Sequence, residues 1–287
     1  MALEPNTLKD LLADPKNRIR LDDFVSECIR AFLEATSLSQ FPVQGGTVDA
    51  AAFVDRIKRY EAALSDLKSI VILIARWGDA EGLLVLEKVF ARLAEADKGS
   101  NGFKYWISLG WYPLGVLMYC AGIAALSARK FDALKVAFTA NAPSSEDGHG
   151  PLIIPVTNHM AEIYEAWKWI PDLKNHHTPR SDYLFDTLRS TLEELLLLGS
   201  SYENLFDQFE VYAALEYVHV TGREWAPIGR FGWKREHDNV FNPLLEGAKK
   251  EAANWAPLRA GLFDGSSEAF LRAVEILKQR LSKTTFW

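Results

Sequence analysis

Hydrophobic residues recur at steps of three and four along most of the chain, a spacing that places them on one face of an α-helix. The longest such pattern covers residues 47–77, and Gly78 follows it as a stop signal. Asp79 is a good N-cap for a second helix that reaches about Ala96. These residues therefore predict two long helices joined by a tight turn.

The same pattern predicts further helices on both sides of this hairpin. They are a short opening helix capped by Thr7, a helix over 21–38, a helix from a Ser181 or Asp182 cap to about Leu198, a helix from Ser201 to about Val220, and a last helix from Ser267 to about Ser282. No segment alternates between polar and apolar residues at period two, so no strand is predicted. We expect an all-α fold, an irregular stack of antiparallel helical hairpins.

A polar stretch rich in glycine and proline divides the chain near its middle, from Ala142 to Pro151. Such stretches are typical of domain boundaries. We predict an N-terminal helical subdomain over 1–142, a linker over 143–156 and a C-terminal helical subdomain over 157–287. A second irregular stretch, 171–180, is predicted to be a loop.

One long run, from Tyr105 to Ala128, has no formally charged side chain. Its length would allow a membrane span. However, Pro113 and several glycines divide the run, and a helix at the centre of a helical stack is also apolar on all sides. We therefore predict a buried core helix and consider membrane insertion the weaker hypothesis.

Composition excludes several classes of protein. The chain has a formal net charge of −6 and a pI near 5.6, which argues against a surface that binds nucleic acid through a broad basic field. Its two cysteines, Cys28 and Cys120, lie far apart, so they cannot form a zinc or redox Cys-x-x-Cys motif. The first residues show no secretory signal pattern, so we expect a cytoplasmic protein. No cofactor is predicted.

Three patches resemble helical regions found in bacterial antiphage defence proteins. They are residues 112–134, 224–234 and 258–265. Residues 128–138 are similar to a turn followed by the second helix of a tetratricopeptide-like pair. In those proteins such regions accompany a sirtuin-like, Toll/interleukin-receptor-like, nuclease or NTPase domain. The chain has no glycine-rich phosphate-binding loop of its own. The resemblance therefore implies a recognition or scaffold role, as a sensor or partner subunit of a defence system.

All of the net negative charge comes from the second half of the chain, because residues 1–143 hold 17 basic and 17 acidic side chains. Within the second half, residues 182–216 contain eight acidic side chains and one arginine. This helical hairpin could attract a basic surface of a partner protein. We expect Asp186, Glu193 and Glu194 to lie on that docking surface, although such a run is also typical of a solvated helix face.

The segment 225–235 mixes aromatic and basic residues. Its candidate contact residues are Arg230, Phe231, Trp233, Lys234 and Arg235. Such a mixture can bind phosphates and stack on the bases of a nucleotide or nucleic acid. The alternative is a structural loop in which Trp225 and Trp233 fill the core between helices while the cations pair with nearby acids.

Two pairs of residues have a spacing seen in metal sites of helical bundles. Glu216 and His219 form a Glu-x-x-His motif, and His159 and Glu162 form the reverse order. A di-metal centre needs two forward copies and two bridging glutamates, so this enzyme hypothesis ranks below the others. The sequence thus favours a non-catalytic recognition protein with a protein partner, and a nucleotide-binding module or a di-metal enzyme are its alternatives.

Overall fold

The computed structural model describes residues 5–144, 148–234 and 238–284. Helices make up 75% of it and strands 3%, which confirms the all-α fold. The helices are α1 (Pro5–Ala13), α2 (Arg18–Ala35), α3 (Ala50–Ala63), α4 (Ser65–Trp77), α5 (Ala80–Glu95), α6 (Lys104–Leu109), α7 (Tyr112–Ser127), α8 (Phe131–Thr139), α9 (Ile153–Glu162), α10 (Tyr164–Trp167), α11 (Pro179–Leu196), α12 (Ser201–Thr221), α13 (Asp238–Glu251), α14 (Ala256–Arg259) and α15 (Ser267–Lys283).

Several predicted helix boundaries are confirmed. The Asp79 carboxylate accepts a hydrogen bond from the backbone N–H of Gly82 and so caps α5. Helix α12 ends at Gly222, which adopts the left-handed conformation with φ of 62°. Helix α15 begins and ends within one residue of its predicted limits and is capped by Ser266.

Other boundaries differ from the prediction. The single helix expected over 47–77 is two helices, because the backbone turns at Leu64, whose side chain is buried. Thr7 lies inside α1, and α11 begins at Pro179, so the caps predicted at Thr7 and at Ser181 or Asp182 are wrong. Proline suits the first turn of a helix because its φ is already helical and its missing N–H has no intrahelical partner there.

The predicted linker 143–156 contains regular structure. Strand β1 (Asn141–Ser144) pairs antiparallel with β2 (Gly148–Pro151), so the expectation of no strand was wrong. Neither strand alternates between polar and apolar residues, since the two together contain two prolines and two glycines. Leu152 and Ile153 follow, fully buried, and one hydrophobic cluster contains residues from both sides of this range.

Helix α7 forms the centre of the stack, in contact with α3, α4, α5, α8, α9, α11 and α12. It lies in the uncharged run, and the predicted core position is confirmed because 14 of its 16 residues are buried. Lys104–Ser127 is long and apolar enough to cross a membrane by length and composition, yet 89% of its most apolar window lies inside the protein. Gly122 lets the ring of Phe209 on α12 approach the α7 backbone closely.

Helix α12 links this centre to the C-terminal part of the chain. It packs against α7, α9, α11, α13 and α15. After Gly222 the chain returns along α12 through the loop 223–234, which contains a short 3-10 turn at Arg230–Gly232. The candidate site described below lies where this loop meets α9, α11 and α15.

Candidate ligand-binding site

The second part of the loop 223–234 folds onto the acidic helices α11 and α12. The guanidinium carbon of Arg230 lies 3.5 Å from the centroid of the Phe185 ring. Its nitrogens lie 3.6 Å from an oxygen of Asp182 and 3.3 Å from one of Glu203. Arg230 is thus a mostly buried cation whose charge is balanced by carboxylates of the same chain.

Lys234 completes this ion-pair cluster. Its ammonium group donates hydrogen bonds to Glu203 at 2.7 Å and to Asp207. The hydrogen bond from Lys234 is the largest influence that lowers the pKa of Glu203, whereas burial raises the pKa of Asp207 despite the same lysine. Two of the predicted ligand-contact cations therefore pair with acids of the chain.

The aromatic residues of this segment also contact the protein. Phe231 is fully buried, and the indole N–H of Trp233 donates a hydrogen bond to the Thr178 hydroxyl at 2.9 Å. The ion pairs of Arg230 and Lys234 thus fit the structural-loop alternative. Its prediction that Trp225 and Trp233 fill the core is wrong, because both are exposed and Phe231 is the buried ring. Arg235, the fifth predicted contact residue, lies outside the described residues.

The predicted docking residues follow Asp182 along α11, with Asp186 one helical turn after it. Asp186 and Glu194 are exposed, and Glu193 is half-buried and accepts a hydrogen bond from the backbone N–H of Gly199 at 3.0 Å. Docking of a partner on these side chains stays a prediction.

The first predicted metal pair, His159 and Glu162, is held by local contacts. The Nδ1 atom of His159 lies 3.2 Å from Oε2 of Glu162, which also accepts a 2.6 Å hydrogen bond from Ser108. The imidazole stacks on the ring of Trp111 with 5.2 Å between centroids, and burial lowers its pKa.

The two residues of the second predicted pair, Glu216 and His219, contact different groups of the chain. Glu216 is buried and accepts a hydrogen bond from the backbone N–H of Phe263, and burial raises its pKa to about 7. His219 lies 3.2 Å from the carboxylate of Asp264. In the described part of the chain, no three His, Cys, Asp or Glu side chains are arranged to hold a metal ion.

The structure reveals a cavity that the sequence did not predict. It has a volume of about 470 Å³ and lies between α9, the start of α11, the loop residues Trp225–Ile228 and the end of α15. This volume is in the range of small-molecule sites. Tyr164 and Trp225, both partly exposed, supply aromatic surface to its wall.

Two arginines, Arg180 of α11 and Arg280 of α15, line this cavity. Among the described residues, neither guanidinium forms a direct ion pair, in contrast to Arg230, although the charge of Arg180 acts on Glu210 and its side chain hydrogen-bonds Tyr119. The Nε atom of Arg280 is buried without a hydrogen-bond partner. Two guanidinium groups at one cavity, neither of them in a direct ion pair within the described ranges, favour an anionic ligand.

A smaller cavity of about 50 Å³ adjoins the first. Arg180, Thr157, Met160 and Pro227 line both of them. We call this smaller cavity the inner cavity. Glu210 of α12 lines it, and the Oε1 atom of Glu210 accepts hydrogen bonds from Ser181 at 2.5 Å and from Tyr119 at 2.8 Å. Its Oε2 atom is buried without a hydrogen-bond partner.

Burial determines the electrostatics of this glutamate. Loss of hydration raises the pKa of Glu210 to about 7, although its hydrogen bonds from Ser181 and Tyr119 act in the opposite direction. Gly229 is required beside it, because a Cβ at this position would overlap the carboxyl group. A carboxyl group with a pKa near neutrality can change its protonation state in response to a ligand.

Sequence reasoning missed this site because its parts are distant in the chain. Arg180 ended a predicted loop, and Arg280 was one of several cations on the last helix. One signal was present: Glu210 lies four residues after Phe206 and four before Ala214, on the buried face of α12. An acidic residue among core positions indicates a specific polar environment.

Comparisons with protein-family models, with curated proteins and with solved structures gave no match to the chain. The functional argument therefore rests on the geometry of the cavity and on the side chains that line it.

Proposed function

We propose that this protein is a helical recognition module that binds a small organic anion in the 470 Å³ cavity. The observation that carries the proposal is the pair Arg180 and Arg280, two guanidinium groups at one cavity that form no direct ion pair among the described residues. The Nε atom of Arg280 is also buried without a hydrogen-bond partner in that part of the chain. Burial of an unpaired polar group costs free energy, so such an arrangement is favoured when a ligand supplies the missing partner.

The shape of the cavity limits the ligand to a small molecule with a flat or apolar body. Tyr164 and Trp225 offer ring surfaces, and Met160, Pro227 and Ile228 offer apolar surface near the arginines. In a ligand with a carboxylate or a phosphate attached to an aromatic group, the anion would bind the arginines and the ring would pack on the aromatic and apolar residues. The nucleotide-binding alternative is retained here in a changed form, with Trp225 and the two arginines as contacts.

A polynucleotide fits less well. Its phosphates would need basic side chains along the loop. Arg230 and Lys234 are already engaged, because they form ion pairs with three acids of the chain, Asp182, Glu203 and Asp207. The exposed acids of α11 would also repel successive phosphates. A role as the sensor subunit of a defence system would agree with a small-molecule site, and it depends on the resemblance of residues 112–134, 224–234 and 258–265.

A thermal-shift panel tests the proposal. The probes are inorganic phosphate, adenosine monophosphate, 3-phenylpropionate, 3-phenyllactate and phenylalanine, each measured at equal ionic strength. We expect at least one organic anion to raise the melting temperature of the wild type and not of Arg280→Met. Arg272→Met is the matched control, because Arg272 lies on the same helix, is exposed and pairs with Glu268.

The two chemical sources of the anion are separated by the panel itself. A response to adenosine monophosphate and phosphate assigns the cavity to phosphate esters, and a response to the phenyl acids assigns it to carboxylates. No response to any probe, or an equal response in Arg280→Met and wild type, would contradict the proposed function.

A further inference from the structure

The two oxygens of the Glu210 carboxyl group have different surroundings. Oε1 accepts hydrogen bonds from Ser181 and Tyr119, whereas Oε2 has no partner among the described residues. Only 4% of this residue is exposed. A buried carboxylate oxygen without a hydrogen bond is costly, so the structure leaves one strong acceptor available at the inner cavity.

This carboxyl group is held in place from several sides. The Ser181 hydroxyl that donates to it also accepts a hydrogen bond from the backbone N–H of Arg230 at 2.9 Å. The backbone at Gly229 packs so closely that a side chain would overlap both carboxyl oxygens. Because rotation would break the hydrogen bonds to Oε1, the position of Oε2 is fixed in advance of ligand binding.

The surroundings of Oε2 select the kind of group that it can accept. The remaining lining of the inner cavity is largely apolar, with Val116, Ile153, Val156 and Phe209 among it. Arg180 lines both cavities and provides the cation beside which an anionic group would lie. A volume of about 50 Å³ accommodates one small polar group, since one water in the liquid occupies roughly 30 Å³.

We propose that Glu210 is a specificity-determining residue whose Oε2 accepts a hydrogen bond from the ligand, so that the ligand is an organic acid carrying an ammonium or hydroxyl group near its anionic group. This inference rests on the proposed function and narrows its ligand to amino and hydroxy acids. The anionic group binds at the two arginines, and the donor enters the inner cavity.

Titration provides a signature of this arrangement. The groups that face Glu210 are Tyr119 from α7, Arg180 and Ser181 from α11, Asp207 from α12 and the backbone of the loop at Gly229. With its pKa raised to about 7, Glu210 is partly protonated at neutral pH. A donor ligand favours the ionised carboxylate and releases a proton, so its affinity rises between pH 6 and pH 8. An acid without a donor places an anion near Glu210, and its affinity falls over the same interval.

The test is calorimetric titration with three probes that share one body: phenylalanine, 3-phenyllactate and 3-phenylpropionate. Wild-type protein should bind one of the donor-bearing acids about 10- to 100-fold more tightly than 3-phenylpropionate. Glu210→Gln keeps an oxygen for Ser181 and Tyr119 and replaces the free acceptor by an NH₂ donor. This variant should lose the preference, and its affinity for 3-phenylpropionate should rise at pH 8, because the neutral amide does not repel the bound anion.

The pH dependence keeps the inference testable if Glu210→Gln does not fold. In wild-type protein, titrations in buffers of different ionisation enthalpy should show proton release with the donor-bearing acid. Equal binding of the three acids with loss in Arg280→Met would overturn this inference and leave the proposed function intact. Binding of phosphate probes without a response to phenylalanine or 3-phenyllactate would overturn it as well.

Discussion

The guanidinium carbon of Arg230 lies 3.5 Å from the centroid of the Phe185 ring, and three carboxylates surround the same cation. Arg230 thereby joins the loop 223–234 to both acidic helices. The loop in turn places Gly229 against Glu210 and Trp225 at the cavity wall. The ion-pair cluster therefore holds the loop that forms one wall of the candidate site, and its residues do not contact the proposed ligand.

Arg230→Met should destabilise the fold by about 3 kcal/mol, because it leaves Asp182 buried without its arginine and Asp207 with only Lys234. Urea unfolding followed by circular dichroism measures this difference. Arg272→Met should change the free energy of unfolding by less than about 0.5 kcal/mol, since its ion pair with Glu268 is exposed. Equal stability of the two variants would show that the Arg230 cluster does not stabilise the protein.

Two glycines of α7 give a matched pair of substitutions. Gly122→Ala should destabilise the protein by about 2 kcal/mol, because the new methyl group would overlap the buried ring of Phe209. Gly115→Ala should stabilise it by up to about 1 kcal/mol, since a Cβ there meets only Val156 at 3.6 Å and alanine favours the helix. Thermal or urea unfolding of both variants checks the prediction, and the reverse order would contradict the packing of α7 on α12.

The free energy of unfolding should fall as the pH rises from about 4.5 to about 7. Glu210 and Glu216 have pKa values of about 7 in the folded chain against an ordinary value of 4.5, so the folded state binds more protons in this interval. Each group contributes at most about 3 kcal/mol to the loss. The lowered pKa of His159 acts in the opposite direction below pH 6.5.

Urea unfolding at several pH values measures this dependence, and glutamine variants assign it. Glu210→Gln and Glu216→Gln should each flatten the curve, because the amide cannot ionise. A wild-type curve that rises steadily to pH 8, or variants that leave its slope unchanged, would show that the two carboxyl groups do not carry the effect.

The helices could be predicted from the sequence because each depends on local spacing and on caps within a few residues. Asp79 and Gly222 illustrate this, since aspartate is a preferred residue just before a helix and glycine just after one. The break at Leu64 had no such signal, because no glycine or proline interrupts the hydrophobic pattern there.

The site could be predicted only in part. The alternative of a structural loop correctly predicted that Arg230 and Lys234 pair with nearby acids, but not that Phe231 is the buried ring in place of the two tryptophans. The cavity could not be predicted, because Arg180 and Arg280 are 100 positions apart and meet only through the packing of α12 with α9, α11 and α15. The lack of a hydrogen-bond partner for the buried Nε atom of Arg280 likewise becomes visible only in the folded chain.

The central claim is that Arg180 and Arg280 together bind an organic anion. Calorimetric titration of the best anion from the panel into wild type, Arg180→Met, Arg280→Met and Arg272→Met tests it most directly. We predict that each cavity variant weakens binding by about 10- to 100-fold, as expected for loss of a hydrogen-bonded charge, and that Arg272→Met binds as the wild type does. An affinity that is the same in all four proteins would contradict the account.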